Sequence, residues 1–225
     1  QGDAIGAVSQ GEYLVDIMNK VGYDFAVLGN HEFDYGMEQL SALLQQSQAQ
    51  YLGCNIQYSG SGKNALAALQ PYVIAAYGQV EIAFIGIATP ESITKSTPAY
   101  FMDASGEFVY DFYGSSGAAL ANQVQQTVDE CRAQGADYVI ALAHLGDDES
   151  SAPFRSTDLI AVTSGIDVVL DGHSHSVISC QWLENKQGEL VALSSTGTGL
   201  ANIGQLIITP GGNISVGLVS SFPWA

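Results

Sequence analysis

Positive charge is scarce in this chain. Six Lys and Arg stand against 23 Asp and Glu, giving a formal net charge of −17 over 225 residues. Such a surface repels a phosphate backbone, which excludes nucleic-acid polymers as partners. It also repels small anions, unless bound cations supply positive charge locally. Cysteine is scarcer still. Cys54, Cys131 and Cys180 are too few and too scattered for a disulfide framework or a zinc ribbon. An odd number leaves at least one thiol unpaired, and Cys54, after Tyr51-Leu52-Gly53, reads as a small core residue on a buried strand. No apolar run reaches the roughly 18 residues of a membrane-crossing helix, and no secretory signal is visible. Internal repeats are absent.

Histidine is also rare, and its four positions are not scattered. They fall in three patterns: Gly29-Asn30-His31-Glu32-Phe33-Asp34, Ala143-His144-Leu145-Gly146 and Asp171-Gly172-His173-Ser174-His175. Each follows a short apolar run, Phe25 to Leu28, Tyr138 to Leu142 and Asp167 to Leu170, that reads as a buried strand. Ligands of open α/β sheets bind beyond the carboxyl ends of the strands, so three strands would deliver the imidazoles to one edge. Imidazole nitrogen with carboxylate or amide oxygen is the donor set of the borderline-soft divalent metals.

Asn30 and His31 are adjacent, so in an extended turn they would face different partners. His173 and His175 are two apart, so an extended segment would turn both to one side. Asp3 could add a bridging carboxylate. A single buried histidine such as His144 is more often a hydrogen-bonded core residue than a ligand. Joint placement after three strands argues the other way, because a packing role gives no reason for it. Asp34, before Tyr35-Gly36, also suits a turn at a helix entry.

Between the motifs the pattern alternates. Amphipathic spacing predicts helices over 11–21 and about 37–46, and a longer one over about 116–133. Strands are expected over 25–28 and 51–56, with a hairpin of 72–76 and 80–87 around Tyr77-Gly78-Gln79. After His175 the pattern turns mostly to strands, at 180–183, 190–193, 203–208 and 214–219. Ser194-Ser195-Thr196-Gly197-Thr198-Gly199 either presents amides and hydroxyls to a phosphate or makes a hairpin-like turn between 190–193 and 203–208. Strands alternating with helices, then a run of strands, suit two sheets with helices outside, and the length suits one α/β domain.

The three histidine motifs resemble the calcineurin-like metallophosphoesterases, and specifically their 5'-nucleotidase and 2',3'-cyclic-nucleotide phosphodiesterase branch. Gly11-Glu12, Asp16 to Asn19 and Val21 to Asp24 extend that likeness across the helix before the Asn-His motif. The resemblance implies an α/β fold: a four-layer α/β/β/α sandwich, two mixed sheets flanked by helices, with two divalent metal ions at the strand ends. By motif position Asp3 would bridge the metals, Asn30, His144 and His173 would complete one site, and His175 would belong to the other. His31 would be the catalytic histidine, held by Asp34, and would bind no metal. Zn, Mn, Fe, Co, Mg and Ca all suit nitrogen and oxygen donors of this kind.

The branch's first motif, Asp-x-His, normally precedes the Gly-Asp segment, and this sequence starts at Gln1-Gly2-Asp3. The expectation is therefore a catalytic domain over 1–219, truncated at its N-terminus, and over 220–225 the start of a linker to an absent nucleoside-binding domain. The implied activity is hydrolysis of a small nucleotide phosphate ester by a secreted, periplasmic or cell-surface enzyme. The alternative is a module that binds metal or phosphate without turnover.

Overall fold

A computed structural model describes Gly2 and residues 4–220. Asp3 and the expected linker beyond Ser220 lie outside the described residues. Helices α1 (Ala4–Ser9) and α2 (Glu12–Val21) precede strand β1 (Phe25–Val27). Then come α3 (Gly36–Gln46), β2 (Gln50–Leu52), β3 (Gln57–Tyr58) and the hairpin of β4 (Tyr72–Tyr77) with β5 (Val80–Ala88). α4 (Ser92–Lys95), β6 (Tyr110–Asp111), α5 (Gly117–Ala133), β7 (Tyr138–His144), α6 (Ser156–Val162) and β8 (Val168–Asp171) follow. β9 (Val177–Glu184), β10 (Leu190–Thr196), β11 (Asn202–Ile208) and β12 (Ile214–Ser220) complete the order.

The main sheet runs β4-β5-β7-β8-β10-β9, parallel through its four central strands and antiparallel at both edges. Central parallel strands are covered on both faces, which is why they read as nearly continuous apolar runs. On one face Ala83, Ile85 and Ile87 of β5 and Val139 and Ala141 of β7 pack under Leu120, Val124 and Val128 of α5 and Leu159 and Ile160 of α6. On the other, Ile82 and Ile140 meet Leu206, Ile208, Ile214 and Val216 of the β11–β12 ribbon. β1 lies on that same face, where Phe25 stacks on Phe84 with ring centroids 4.8 Å apart. Outside β1 and β2, residues of α2 and α3 (Met18, Leu40 and Leu44) pack with Leu28 and Tyr51.

The layer order is thus helix, sheet, sheet, helix, as the resemblance implies. Among the described residues the second layer is divided into two ribbons, parallel β1–β2 and antiparallel β11–β12. Positive φ at Gly197, Gly199 and Leu200 swings the chain out of the main sheet after β10 and carries it into the second ribbon.

One close approach fixes the two layers. A Cβ on Gly86 of β5 would collide with the Leu52 carbonyl group at the end of β2. Backbone cannot step aside as a flexible side chain can, so Gly86→Val is expected to cost about 1–3 kcal/mol. Urea unfolding measures it, and wild-type stability would mean that β2 is free to lift. Beyond Leu52 the strand expected to reach Ile56 stops. The buried Asn55 side chain bonds both backbone groups of Ala88 and the Phe112 carbonyl, and this holds the chain in a turn. Cys54 is buried as expected, but in that turn rather than on a strand. Three helices, α1, α4 and α6, were not expected; they span 6, 4 and 7 residues, too few turns to show a helical period.

Candidate active site

The Asn-His motif begins two residues after β1 and forms a short 3₁₀ helix, Asn30–Phe33, rather than an extended turn. Phe33 is its anchor. It is fully buried against Phe101 and Phe112, with centroids 5.0 and 5.7 Å away. Glu32 accepts the Gly29 N–H at 2.6 Å, which satisfies a donor at the helix start. Gly29 carries no side chain for a steric reason, because a Cβ there would stand 2.7 Å from the His144 ring. So pinned, the helix buries Asn30 and leaves His31 exposed.

Asn30 is the meeting point. Its Oδ1 lies 3.1 Å from His144 Nε2 and 3.1 Å from His173 Nδ1. His144 ends β7, and the period of two sets it on the same face as Ile140 and Leu142, toward the second layer. Burial pushes its pKa down to about 4, against the pull of Glu32. Burial likewise lowers that of His173, partly opposed by Glu91. Both rings are therefore neutral at pH 7, the form that ligates a metal.

The Gly172 to His175 segment is not extended, as its His-x-His spacing suggested. His173 and His175 have φ of 76° and 58°, and the Ser174 N–H turns back to the Gly172 carbonyl at 3.0 Å. Left-handed φ is uncommon outside glycine, and here it is held by surrounding bonds. Asp171 Oδ1 accepts the N–H groups of Leu145, Gly146 and Gly172 at 2.9, 3.2 and 2.8 Å. Asp147 takes the hydroxyls of Ser174 and Ser176 at 2.6 and 2.5 Å, and those bonds, Ser174 first, hold its carboxyl below the usual range. The loops after β7 and β8 are thereby tied together.

His31 is handled separately. Its Nδ1 is 2.7 Å from Asp34 Oδ2, and among the described residues no hydrogen bond is made to its Nε2. His31, His144 and His175 line one cavity of about 720 Å³, closed on another side by Thr196, Gly197, Thr198 and Gly199. The Gly-rich stretch thus faces the histidines rather than linking a hairpin, since β10 and β11 belong to different sheets.

The structure adds residues that no sequence pattern marked. Glu91 Oε2 is 3.1 Å from His173 Nε2, and Lys95 Nζ is 3.3 Å from the same nitrogen and 3.3 Å from Glu91 Oε1. Burial alone would raise the Glu91 carboxyl; bonds from Ser151, His173 and Lys95 outweigh it and bring it below the usual range. Asp171 belongs here too: it stands in a visible motif, but only the fold shows it as the anchor.

The donor set suits a divalent cation. Two ligand atoms about 2.1 Å from a shared metal and about 95° apart stand about 3.1 Å from each other, the spacing found around Asn30 Oδ1. Among the described residues no three His, Cys, Asp or Glu side chains form a metal-holding group by themselves. The amide oxygen of Asn30 is what joins the two imidazoles.

Residues 7–196 match the family model described as bacterial capsule synthesis protein PGA_cap. The chain belongs to that family, within the calcineurin-like phosphoesterases. It is 29% identical over 178 residues to the trifunctional nucleotide phosphoesterase protein YfkN of Bacillus subtilis, covering 73% of this chain and 11% of that protein. It is 30% identical over 181 residues to the 5'-nucleotidase of Bos taurus, covering 79% of this chain and 28% of the relative. The crystal structure of a 5'-nucleotidase precursor from Thermus thermophilus superposes with a TM-score of 0.77 at 21% identity, over 98% of this chain and 43% of that one. The chain therefore spans well under half the length of these relatives.

Proposed function

We propose that this chain carries the metal-dependent phosphoesterase centre of a nucleotide hydrolase, a 5'-nucleotidase or 2',3'-cyclic-nucleotide phosphodiesterase. One observation carries the reading: Asn30 Oδ1, His144 Nε2 and His173 Nδ1 converge beyond three strands, next to a histidine oriented by a carboxylate. Asn30, His144 and His173 would hold one divalent ion. His175, exposed on the same cavity, would serve a second together with Asp3. When bound, such ions supply positive charge to a phosphate and acidify water at neutral pH.

The chain's own groups do the rest. Asp34 accepts the proton on His31 Nδ1 and orients the ring; in the imidazolium form Nε2 carries a second proton, which would pass to a departing oxygen in the cavity. Amides and hydroxyls of Thr196 to Gly199, which line the same cavity, would contact phosphate oxygens. The surface is acidic overall, so an anion reaches this cavity only against the field of the protein. That is a second reason for cations in the site.

The full-length protein, stripped with EDTA and reloaded with Mn²⁺, is expected to release phosphate from AMP, 3'-AMP or, with a nucleotidase step, 2',3'-cyclic AMP, and to lose that release when stripped again. Metal bound with no turnover on any of these esters would favour the binding-module alternative. No described helix is long and apolar enough to cross a membrane. Placement outside the cytoplasm is part of the same proposal, supported by a snake venom 5'-nucleotidase from Gloydius brevicauda at 29% identity. Recovery only from cytosol on cell fractionation would count against it.

A further inference from the structure

We propose that Glu91 is a positioning residue that sets the tautomer of His173, leaving His173 Nδ1 bare so that it can hold a cation beside Asn30 Oδ1. The inference rests on the metal-site reading above and deepens it.

His173 Nε2 has two neighbours with opposite demands. Glu91 Oε2, at 3.1 Å, can only accept a proton from it, and Lys95 Nζ, at 3.3 Å, can only donate one to it. A neutral imidazole carries one N–H, so the ring satisfies one neighbour and not the other. If Nε2 accepts from Lys95, the proton sits on Nδ1 and points at Asn30 Oδ1. If Nε2 donates to Glu91, Nδ1 is a bare lone pair facing an oxygen lone pair at 3.1 Å, an arrangement that repels unless a cation lies between them.

Exposure decides between the two. The side chains of His173 and Glu91 are 6% and 16% exposed, whereas Lys95 is 41% exposed. A shielded carboxylate needs its donors, and an ammonium open to water does not need the ring. Lys95 also has Glu91 Oε1 at 3.3 Å, so it can pair with the carboxylate while the ring proton goes to Oε2. Glu91 then stands to His173 as the carboxylate that orients a ligating histidine and raises its basicity. It reaches that place from the turn after β5, whereas the ligands come from β1, β7 and β8.

The test uses the full-length protein with Glu91→Ala, Glu91→Gln, Lys95→Met and His173→Ala. Mn²⁺ and Zn²⁺ affinities are read by competition with a chromophoric chelator, alongside activity as a function of metal concentration. Glu91→Ala is expected to weaken binding about 10–100-fold, with activity recovering at raised metal. Glu91→Gln keeps an acceptor oxygen and should lose less, while Lys95→Met should lose least. ¹⁵N shifts of His173 in the Zn²⁺-loaded protein should show pyrrole-type Nε2 and a metal-bound, unprotonated Nδ1.

A Lys95→Met loss larger than that of Glu91→Ala, or the reverse pair of ¹⁵N shifts, would overturn the assignment. Wild-type affinity in both Glu91 variants, with metal lost in His173→Ala, would remove Glu91 and leave the metal site standing. Wild-type affinity in His173→Ala as well would remove the site itself. If Glu91→Ala does not fold, the Gln variant and the ¹⁵N shifts decide.

Discussion

His31→Asn is expected to lower kcat by about 10²–10⁴-fold on nucleotide esters while metal content stays as in the wild type. The ring sits apart from the Asn30 cluster in its bonding: its hydrogen-bond partner is Asp34, at 2.7 Å, and among the described residues none of the three other imidazoles shares that carboxylate. Removing it takes away a proton donor and leaves the ligands in place. Asp34→Asn should cost less, since it weakens orientation and charge support only. The loss should shrink for nitrophenyl phosphate, whose phenolate leaves without a proton. Metal analysis beside steady-state kinetics on both esters decides the point. Loss of metal in His31→Asn, or equal slowing of both esters, would make His31 a ligand or a group acting on the phosphoryl oxygens.

His144→Ala and His173→Ala should each weaken metal binding by more than about 100-fold, because each deletes one of the two nitrogens that flank Asn30 Oδ1 at 3.1 Å. Turnover should fall in parallel. Inductively coupled plasma analysis after dialysis, paired with calorimetric titration, measures both. A variant that keeps its full metal content takes that histidine out of the coordination set. Far-ultraviolet circular dichroism of the metal-free variants guards against simple unfolding, since His144 is tightly packed against Gly29.

Much of this was legible in the chain. Short apolar runs before each histidine motif became β1, β7 and β8, and the apolar periodicity of 11–21 and 116–133 became α2 and α5. Those features are local, and burial of one face enforces them. The bend of the histidine segment was not legible. Spacing alone turns His173 and His175 to one side of an extended segment, whereas Asp147 and Asp171 reach across 25 or more residues of sequence to hold left-handed backbone. Glu91 escaped notice for a similar reason: Thr89-Pro90-Glu91 has no pattern, and its meaning comes from a ring 82 positions away. Asn30 was seen as a ligand type, but only the fold shows it at the centre.

The carboxylate of Asp171 gathers three backbone amides from two loops onto one oxygen, right at the strand ends. A shift in either loop is therefore passed to the other, and with it to His144 or His173. The segment between Asp148 and Arg155 is drawn into the same unit, because its Ser151 bonds Glu91, which in turn meets His173. Lengthening that segment would add loop entropy that grows only slowly with length, but it would tell on the histidine cluster through Glu91.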